Sequence, residues 1–564
     1  MAWFKKKELI FLTLILILAA IFRFFTLGQA DVIDDESTYS FRALGYLDYF
    51  TEAQSTPINW FKEPPSWTKL SFHDHPPLNF LLNYLVLDIT GPKPWATRAV
   101  SAVAGVISVL LIYLIGKIIA NQNFGLLAAL FFAVNNFAIW ISRIGLQESL
   151  LISLILASFY FFILALEKQN YLTLAFGFLA LSFLTKYTAI FILPVYLLIL
   201  FWQKRGWLKS RQLYLSVLLF LIIISPVIFY NLFLFQSRGH FDLQLSYIFG
   251  LTDKVTGWQE LPGKSDLSIW QRFINLPQAL TLYLSPLFLL VLFSGLVYSL
   301  YSIFLPLNLR GSEKGLFNLK LIWLGLLFLV LLVGLVGPQI RFLAMFVPFF
   351  ILLLAYFWQE ILTRHKIFSF FLIIFVAFEI FYSVNTFFVL KPVGRSPLVF
   401  SGDLGRSRGN FGFNQLDQYL KNELVGKVPA VRFQLANDYL EKRVKKYLAQ
   451  KGGQDANILL VFNHNIKDGP DIWYLWRRQF YEGWPVVTAD KFLNDLQSNG
   501  QNYYLDAGFK NFYFIQPTNL TLLRPADKQT QAGTILGQAL IKSGIQPIEI
   551  KNLAGQTSFL VFKF

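Results

Sequence analysis

The sequence predicts an α-helical polytopic membrane protein with about eleven transmembrane helices (range 11–13), followed by a soluble extracytoplasmic α/β domain. Composition is the first ground: of 564 residues 55% are hydrophobic and 60 are Phe, while only 15% are charged, against about 25% in a typical soluble chain. The second is that apolar runs of bilayer-crossing length, roughly 20 residues, recur as far as Leu390. The third is that this pattern then stops, and residues 391–564 alternate short strand-like and helical stretches.

The apolar runs fall near 9–27, 99–119, 123–142, 148–166, 170–185, 187–203, 211–234, 277–304, 317–337, 341–358 and 366–389. The first follows Lys5-Lys6-Lys7, as a secretory signal peptide would. It leads straight into an acidic segment without a clear small-residue cleavage site, so it reads as a span. Leu78–Thr90 is also apolar, but it follows two prolines and is closed by Gly91-Pro92. That length suits an interfacial or re-entrant helix rather than a crossing. Cation placement supports this reading. With eleven spans and a cytoplasmic amino terminus, Lys117, Lys168, the Lys204–Arg211 cluster, Arg310, Lys314, Lys320, Arg364 and Lys366 all lie inside. The outer span ends then carry only Arg98, Arg143, Lys186 and Arg341. Counting Leu78–Thr90 as a span would invert this distribution.

The net charge of +16 is thereby explained by inner loops, and no nucleic-acid partner is expected. Absence of cysteine excludes disulfides, thiol nucleophiles and cysteine-ligated zinc, and the histidines have no paired zinc-ligand spacing.

Residues 28–98 form a long first outer loop. On a helix starting near Asp35, Asp35, Tyr39, Arg42 and Tyr46 share one face, while Phe41, Leu44 and Leu47 point elsewhere. This predicts a helix lying on the membrane surface. A second outer segment, about 235–276, is polar and aromatic, and lids and binding loops are the usual exceptions at that length. Arg238, Trp258 and Arg272 in it, with Tyr39 and Arg42, are candidate substrate-binding residues. In the soluble domain, strands are expected at Ile458–Phe462, Pro485–Thr488, Asn511–Ile515, Pro547–Ile550 and Phe559–Phe564, and helices at Asn414–Leu424, Arg432–Lys451 and Thr530–Ser543. The expected domains are therefore 1–390 and 391–564, the second on the same outer side as the first loop.

The run Asp34-Asp35-Glu36 follows closely on the first span. Ionisable groups at a membrane are costly and are retained for ligands, ions or proton transfer. One helix cap needs fewer than three acids. The cations Arg98, Arg143, Lys186 and Arg341 are the complementary half. A single such residue is more often a snorkelling side chain, but four isolated ones suit a lipid phosphate, which takes charge-assisted donors. His75, in His75-Pro76-Pro77-Leu78, stands where a helix amino terminus would offer a further anion contact. Glu148 is expected to pair with Arg143, or else to act as a second acid.

These features together resemble the GT-C glycosyltransferases, and within them the protein O-mannosyltransferase and aminoarabinose-transferase branch. The resemblance rests on Asp35-Glu36 with its aromatic-rich helix, the His75-Pro76-Pro77-Leu78 turn, Arg98 in ATRAVSAVAG, Arg143 and Glu148 in SRIGLQES, Lys186 in FLTKYT, and Arg341 opening a late span. It implies inverting sugar transfer from a polyprenyl-phosphate donor to a lipid, glycan or protein acceptor at the outer face of the cell membrane. Asp35 is the expected general base, with Asp34, Glu36 and Glu148 as the other candidate acids. His75, Arg98, Arg143, Lys186 and Arg341 are the expected phosphate ligands. No cofactor is expected: a divalent ion on Asp34, Asp35, Glu36 and Glu148 stays open, but similar enzymes generally work without one. The chain shows no Gly-rich phosphate loop of the nucleotide type, which favours a lipid-linked donor. A secondary transporter would carry charges near the midplane, within repeats, and no repeat is visible. A non-catalytic scaffold would leave the acids and cations unexplained.

Overall fold

All eleven apolar runs are helical in the computed structural model, which describes residues 2–49, 57–251, 267–304, 313–393, 400–402, 404, 410–464, 466, 469–521 and 528–564. Seven helices among the described residues are long and apolar enough to cross a membrane: Ala96–Ile119, Glu148–Glu167, Arg211–Arg238, Pro286–Phe304, Leu319–Val336, Ile340–Arg364 and Phe368–Phe387. The count rises to eight if Gln122–Val134 and Asn136–Ser142, bent by 65°, form one span. The bend has a local cause, because the Asn135 side chain accepts from the Ala138 backbone N–H at 2.9 Å and starts a second helix.

The expected eleven counted apolar composition, whereas continuity gives the smaller number. Ala2–Phe24 carries Lys5–Lys7, Glu8 and Arg23 within its 23 residues. Leu172–Phe183 has 12 residues. Tyr187–Trp202 opens as a six-residue 3₁₀ stretch before a ten-residue α-helix. The Leu78–Thr90 helix has 13 residues, as its length in the sequence implied, and ends at Gly91 with φ +77°. A left-handed residue there closes the last turn, and glycine adopts it without a Cβ penalty.

The acidic helix spans Asp34–Gly45 and ends at Tyr46 in the left-handed region. It does not lie on an open surface, which corrects the expectation of an interfacial helix. Glu36, Ser37, Tyr39, Ser40, Phe41, Arg42, Ala43 and Gly45 are all buried. One side packs on Leu78–Thr90, and the other meets the carboxy-terminal region. There Phe41, Leu47 and Tyr49 join Leu435, Leu440, Val444 and Tyr481 in one apolar cluster. The apolar positions that seemed to face away from Asp35 are thus covered by the carboxy-terminal region. The Tyr481 hydroxyl donates to the Phe41 carbonyl at 2.7 Å, and Arg443 donates to the Gly45 carbonyl at 3.0 Å.

The carboxy-terminal region is built on strands β1 (Lys427–Pro429), β2 (Gln454–Ala456), β3 (Ile458–Phe462), β4 (Val486–Thr488), β5 (Asn511–Pro517), β6 (Ile548–Lys551) and β7 (Thr557–Lys563). β1 and β2 pair parallel, and the other five form a sheet of order β4-β3-β5-β7-β6. β3 is parallel to both neighbours, while β7 is antiparallel to β5 and β6. All five expected strands lie in this larger sheet, within a residue or two at most ends. A clasp ties the region to the bundle. The Asp31 carboxylate accepts from the backbone N–H groups of Phe411 (2.7 Å), Gly412 (3.0 Å) and Asn414 (2.9 Å), at the start of the Phe413–Leu424 helix. In return, Tyr474 bridges the Val32 N–H and the Asn414 side chain, each at 2.8 Å.

Candidate functional site

The chain leaves the first helix, runs extended through Ile33 and turns at Asp34, whose φ of +54° is left-handed. Asp tolerates this conformation better than most residues. The turn swings the acid run against a cavity of about 530 Å³, lined by Asp31, Asp34, Asp35, Glu36, Arg98, Trp140, Arg143, Gln339, Arg341 and Gly469 among others. Gly469 belongs to the carboxy-terminal region, and its carbonyl accepts from the Ser37 hydroxyl at 2.6 Å. Both halves of the chain therefore wall the cavity.

Glu36 and Asp35 have different environments. Glu36 is 4% exposed. It accepts Arg98 Nε at 2.6 Å and Nη2 at 2.7 Å, a bidentate fork, and the Gly145 N–H at 2.7 Å. A Cβ on Gly145 would stand 2.6 Å from the Thr97 carbonyl oxygen, so only glycine brings that N–H so close. Arg98 spends its remaining donors on the carbonyls of Leu27, Ala30 and Asp31, all at 2.9 Å. Every guanidinium N–H is taken. In this arrangement Arg98 fixes the loop to the span and has nothing left for a phosphate.

Asp35 is different. Its side chain is 52% exposed and touches Arg341, itself 16% exposed, through one oxygen. Arg341 sits in the short Ile340–Leu343 helix, and its Nη1 also reaches the Tyr39 hydroxyl at 3.5 Å. Behind it Lys186 pairs with Glu148, the first residue of the Glu148–Glu167 helix. Lys186 lies 4.9 Å and Arg341 5.5 Å from the centroid of the same Phe342 ring, which brings the two cations together. The expected Glu148–Arg143 pair is therefore corrected to Glu148–Lys186. Arg143 is buried and donates to the Phe22 and Phe25 carbonyls at 2.8 and 2.7 Å, capping the end of the first helix. It lines the cavity, but its identified bonds are to protein.

His75 turns away from the cavity. Its Nε2 lies 2.7 Å from the Tyr39 hydroxyl, and its Nδ1 lies 3.2 Å from Asp74 Oδ2. Burial and the nearby Asp35 charge hold the Tyr39 hydroxyl protonated, well above its ordinary pKa. Asp74 also accepts Arg42 Nη1 at 2.7 Å. Burial pushes Asp74 up, yet Arg42 and His75 outweigh it and hold it well below the usual carboxylate range. Arg42 is fully buried among Asp74, Asp48 and the Tyr49 carbonyl. It braces the loop and is not a surface substrate contact.

The two described candidates from the second outer segment also lie off the cavity lining. Arg238 stacks on Trp60, 4.7 Å from the ring centroid. Arg272 donates to the Gly334 and Leu335 carbonyls. Trp258 lies outside the described residues. Among the described residues no group of three or more His, Asp or Glu side chains is placed to hold a metal ion. Sequence reasoning missed Asp31 and Asp74. Both are single acids in loops of ordinary composition, and nothing in their spacing separates them from solvated ones.

Residues 74–230 match the family model described as dolichyl-phosphate-mannose-protein mannosyltransferase. A comparison with curated proteins finds no sequence match. Among solved structures, ArnT from Cupriavidus metallidurans bound to undecaprenyl phosphate superposes with a TM-score of 0.52 at 11% identity, over 98% of this chain and 97% of that one. Its apo state gives the same figures. The oligosaccharyltransferase of Archaeoglobus fulgidus in its apo form gives 0.50 at 13% identity, over 99% of this chain and 75% of that one. At these identities the likeness to solved structures is one of fold. The chain shares the overall fold of these structures, and it is an integral, multi-pass membrane protein.

Proposed function

We propose that the protein is a glycosyltransferase that moves a sugar from a polyprenyl-phosphate donor to a lipid, glycan or protein acceptor, with inversion. The observation that carries this is the Asp35–Arg341 contact on the wall of the cavity, with Lys186 close behind. The likeness to a structure bound to undecaprenyl phosphate is in keeping with a lipid-phosphate donor.

In this reading Asp35 takes the proton from the acceptor hydroxyl or amine as that group attacks the anomeric carbon. The bond from that carbon to the phosphate oxygen breaks, and its electron pair leaves on the phosphate. Arg341 and Lys186 stabilise the charge that develops there. A single displacement inverts the anomeric configuration. Arg98 and Glu36 hold the loop that carries the base, and Tyr39 with His75 supports Arg341 from behind. The cation asymmetry between loops supports a reading in which the cavity and the carboxy-terminal region face outside the cell membrane and the amino terminus lies in the cytoplasm.

Asp35→Asn removes proton acceptance with little change of shape. Transfer from a polyprenyl-phosphate sugar should fall about 10²–10⁴-fold, without weaker donor binding. Near-parental turnover would take the base away from Asp35.

A further inference from the structure

Each proposed phosphate cation has a carboxylate against it: Arg341 holds Asp35, and Lys186 holds Glu148. The two pairs are unequal. Glu148 is 1% exposed and the Asp35 side chain 52%. Arg341 contacts Asp35 through Nη1 alone, and its other bond, to Tyr39, uses the same nitrogen. Among the described residues its Nε and Nη2 make no hydrogen bond. A phosphate would therefore meet a guanidinium that is half engaged, by the one carboxylate the reaction needs as a base. While Arg341 holds Asp35 Oδ2, that oxygen is engaged by a donor and is not turned to an acceptor's proton.

We propose that donor phosphate and the Asp35 carboxylate compete for Arg341, so that donor binding itself releases the base. This rests on the lipid-phosphate reading above and adds an order of events to it. The phosphate oxygens take the Nη1, Nη2 and Nε donors of Arg341, which suit a bidentate anion. Asp35 loses its contact, turns to the cavity as a free carboxylate and accepts the acceptor's proton. After transfer Asp35 gives its proton to solvent, the lipid phosphate leaves, and the restored carboxylate recaptures Arg341. No bond is made or broken in the exchange beyond hydrogen bonds and ion pairs. An empty site is then silent, since its base is held, and the donor binds before the acceptor is activated.

The test is a double-mutant cycle on binding of undecaprenyl phosphate to the full-length protein in nanodiscs. Asp35→Asn should bind this lipid more tightly than the parent, by about three- to tenfold, as expected for removing a competing, partly exposed ion pair. In an Arg341→Ala background the same Asp35→Asn change should give no gain. An equal gain with and without Arg341 would mean general repulsion between Asp35 and phosphate, and would overturn the exchange. So would an unchanged affinity in Asp35→Asn. Failure of the parent to bind the lipid at all would overturn both the lipid-phosphate reading and the exchange built on it.

Discussion

Glu36 and Asp35 are neighbours in sequence, each paired with an arginine, and the two pairs are built to opposite ends. Glu36 meets Arg98 through two parallel bonds, away from solvent, and all the donors of Arg98 are satisfied. Asp35 meets Arg341 through one oxygen at a half-open wall. A saturated buried pair can only hold structure, because any ligand would have to break several bonds at once. A half-engaged pair at a cavity can exchange partners. Residue type and position at a span end are alike in the two pairs, and the number of unspent donors is what sets them apart.

The largest expected effect strikes the closed pair. Arg98→Ala strands Glu36 as a buried charge without its partner, which costs about 3–5 kcal/mol, enough to lose most folded protein in a thermal-unfolding assay. Arg341→Ala should cost at most about 1 kcal/mol of stability, because the Asp35 it leaves behind is half exposed to water. Equal destabilisation by the two variants would erase the distinction between them.

The next effect runs the other way, on binding. Arg341→Ala should weaken undecaprenyl phosphate by about 1.5–3 kcal/mol, the value of a hydrogen bond to a charged group. Arg341→Lys should recover part of it, since an ammonium lacks the planar fork. Full recovery by lysine would reduce Arg341 to a point charge and weaken the case for exchange.

Much of this was legible beforehand. The acid run and the four cations stand out because charge is scarce at a membrane, and Asp35, Glu36, Arg98, Arg143 and Arg341 do line one cavity. The pairing among them was not legible, since which arginine meets which acid is fixed by helices far apart in sequence. Glu148 took Lys186 rather than Arg143 for that reason. The five strands of the larger sheet were readable as apolar runs. The three-residue strands β1 and β2 were not, because they exist only through their mutual pairing. The helix Ala489–Asn499 was also missed, since it buries only Ala489 and Phe492 and so shows a thin apolar stripe. The acidic helix was placed in the right stretch but on the wrong surface, because the cover over Phe41 is supplied from more than 390 residues away.

Asp31 gives the smallest effect and a third kind of acid, one that binds backbone. Burial raises its carboxyl to about 6 against the pull of four backbone N–H groups, those of Asn414, Phe411, Phe413 and Gly412. An unfolded Asp titrates near 3.9, so the folded chain holds the extra proton between these two values. The stability this residue contributes is then complete below about pH 4 and is lost as pH rises through about 6. Asp31→Asn abolishes that titration and adds a constant offset from its mismatched amide. Asp48, which burial also raises to about 6, titrates in parent and variant alike and cancels in the difference. The stability of the parent relative to Asp31→Asn, followed by thermal unfolding, should therefore fall by about 1–2 kcal/mol between pH 4 and pH 6. A difference that stays flat with pH would mean that the backbone N–H groups win over burial and that Asp31 is ionised throughout. The clasp would then resemble the Glu36–Arg98 pair, a permanently charged structural contact, and not a group balanced between two states.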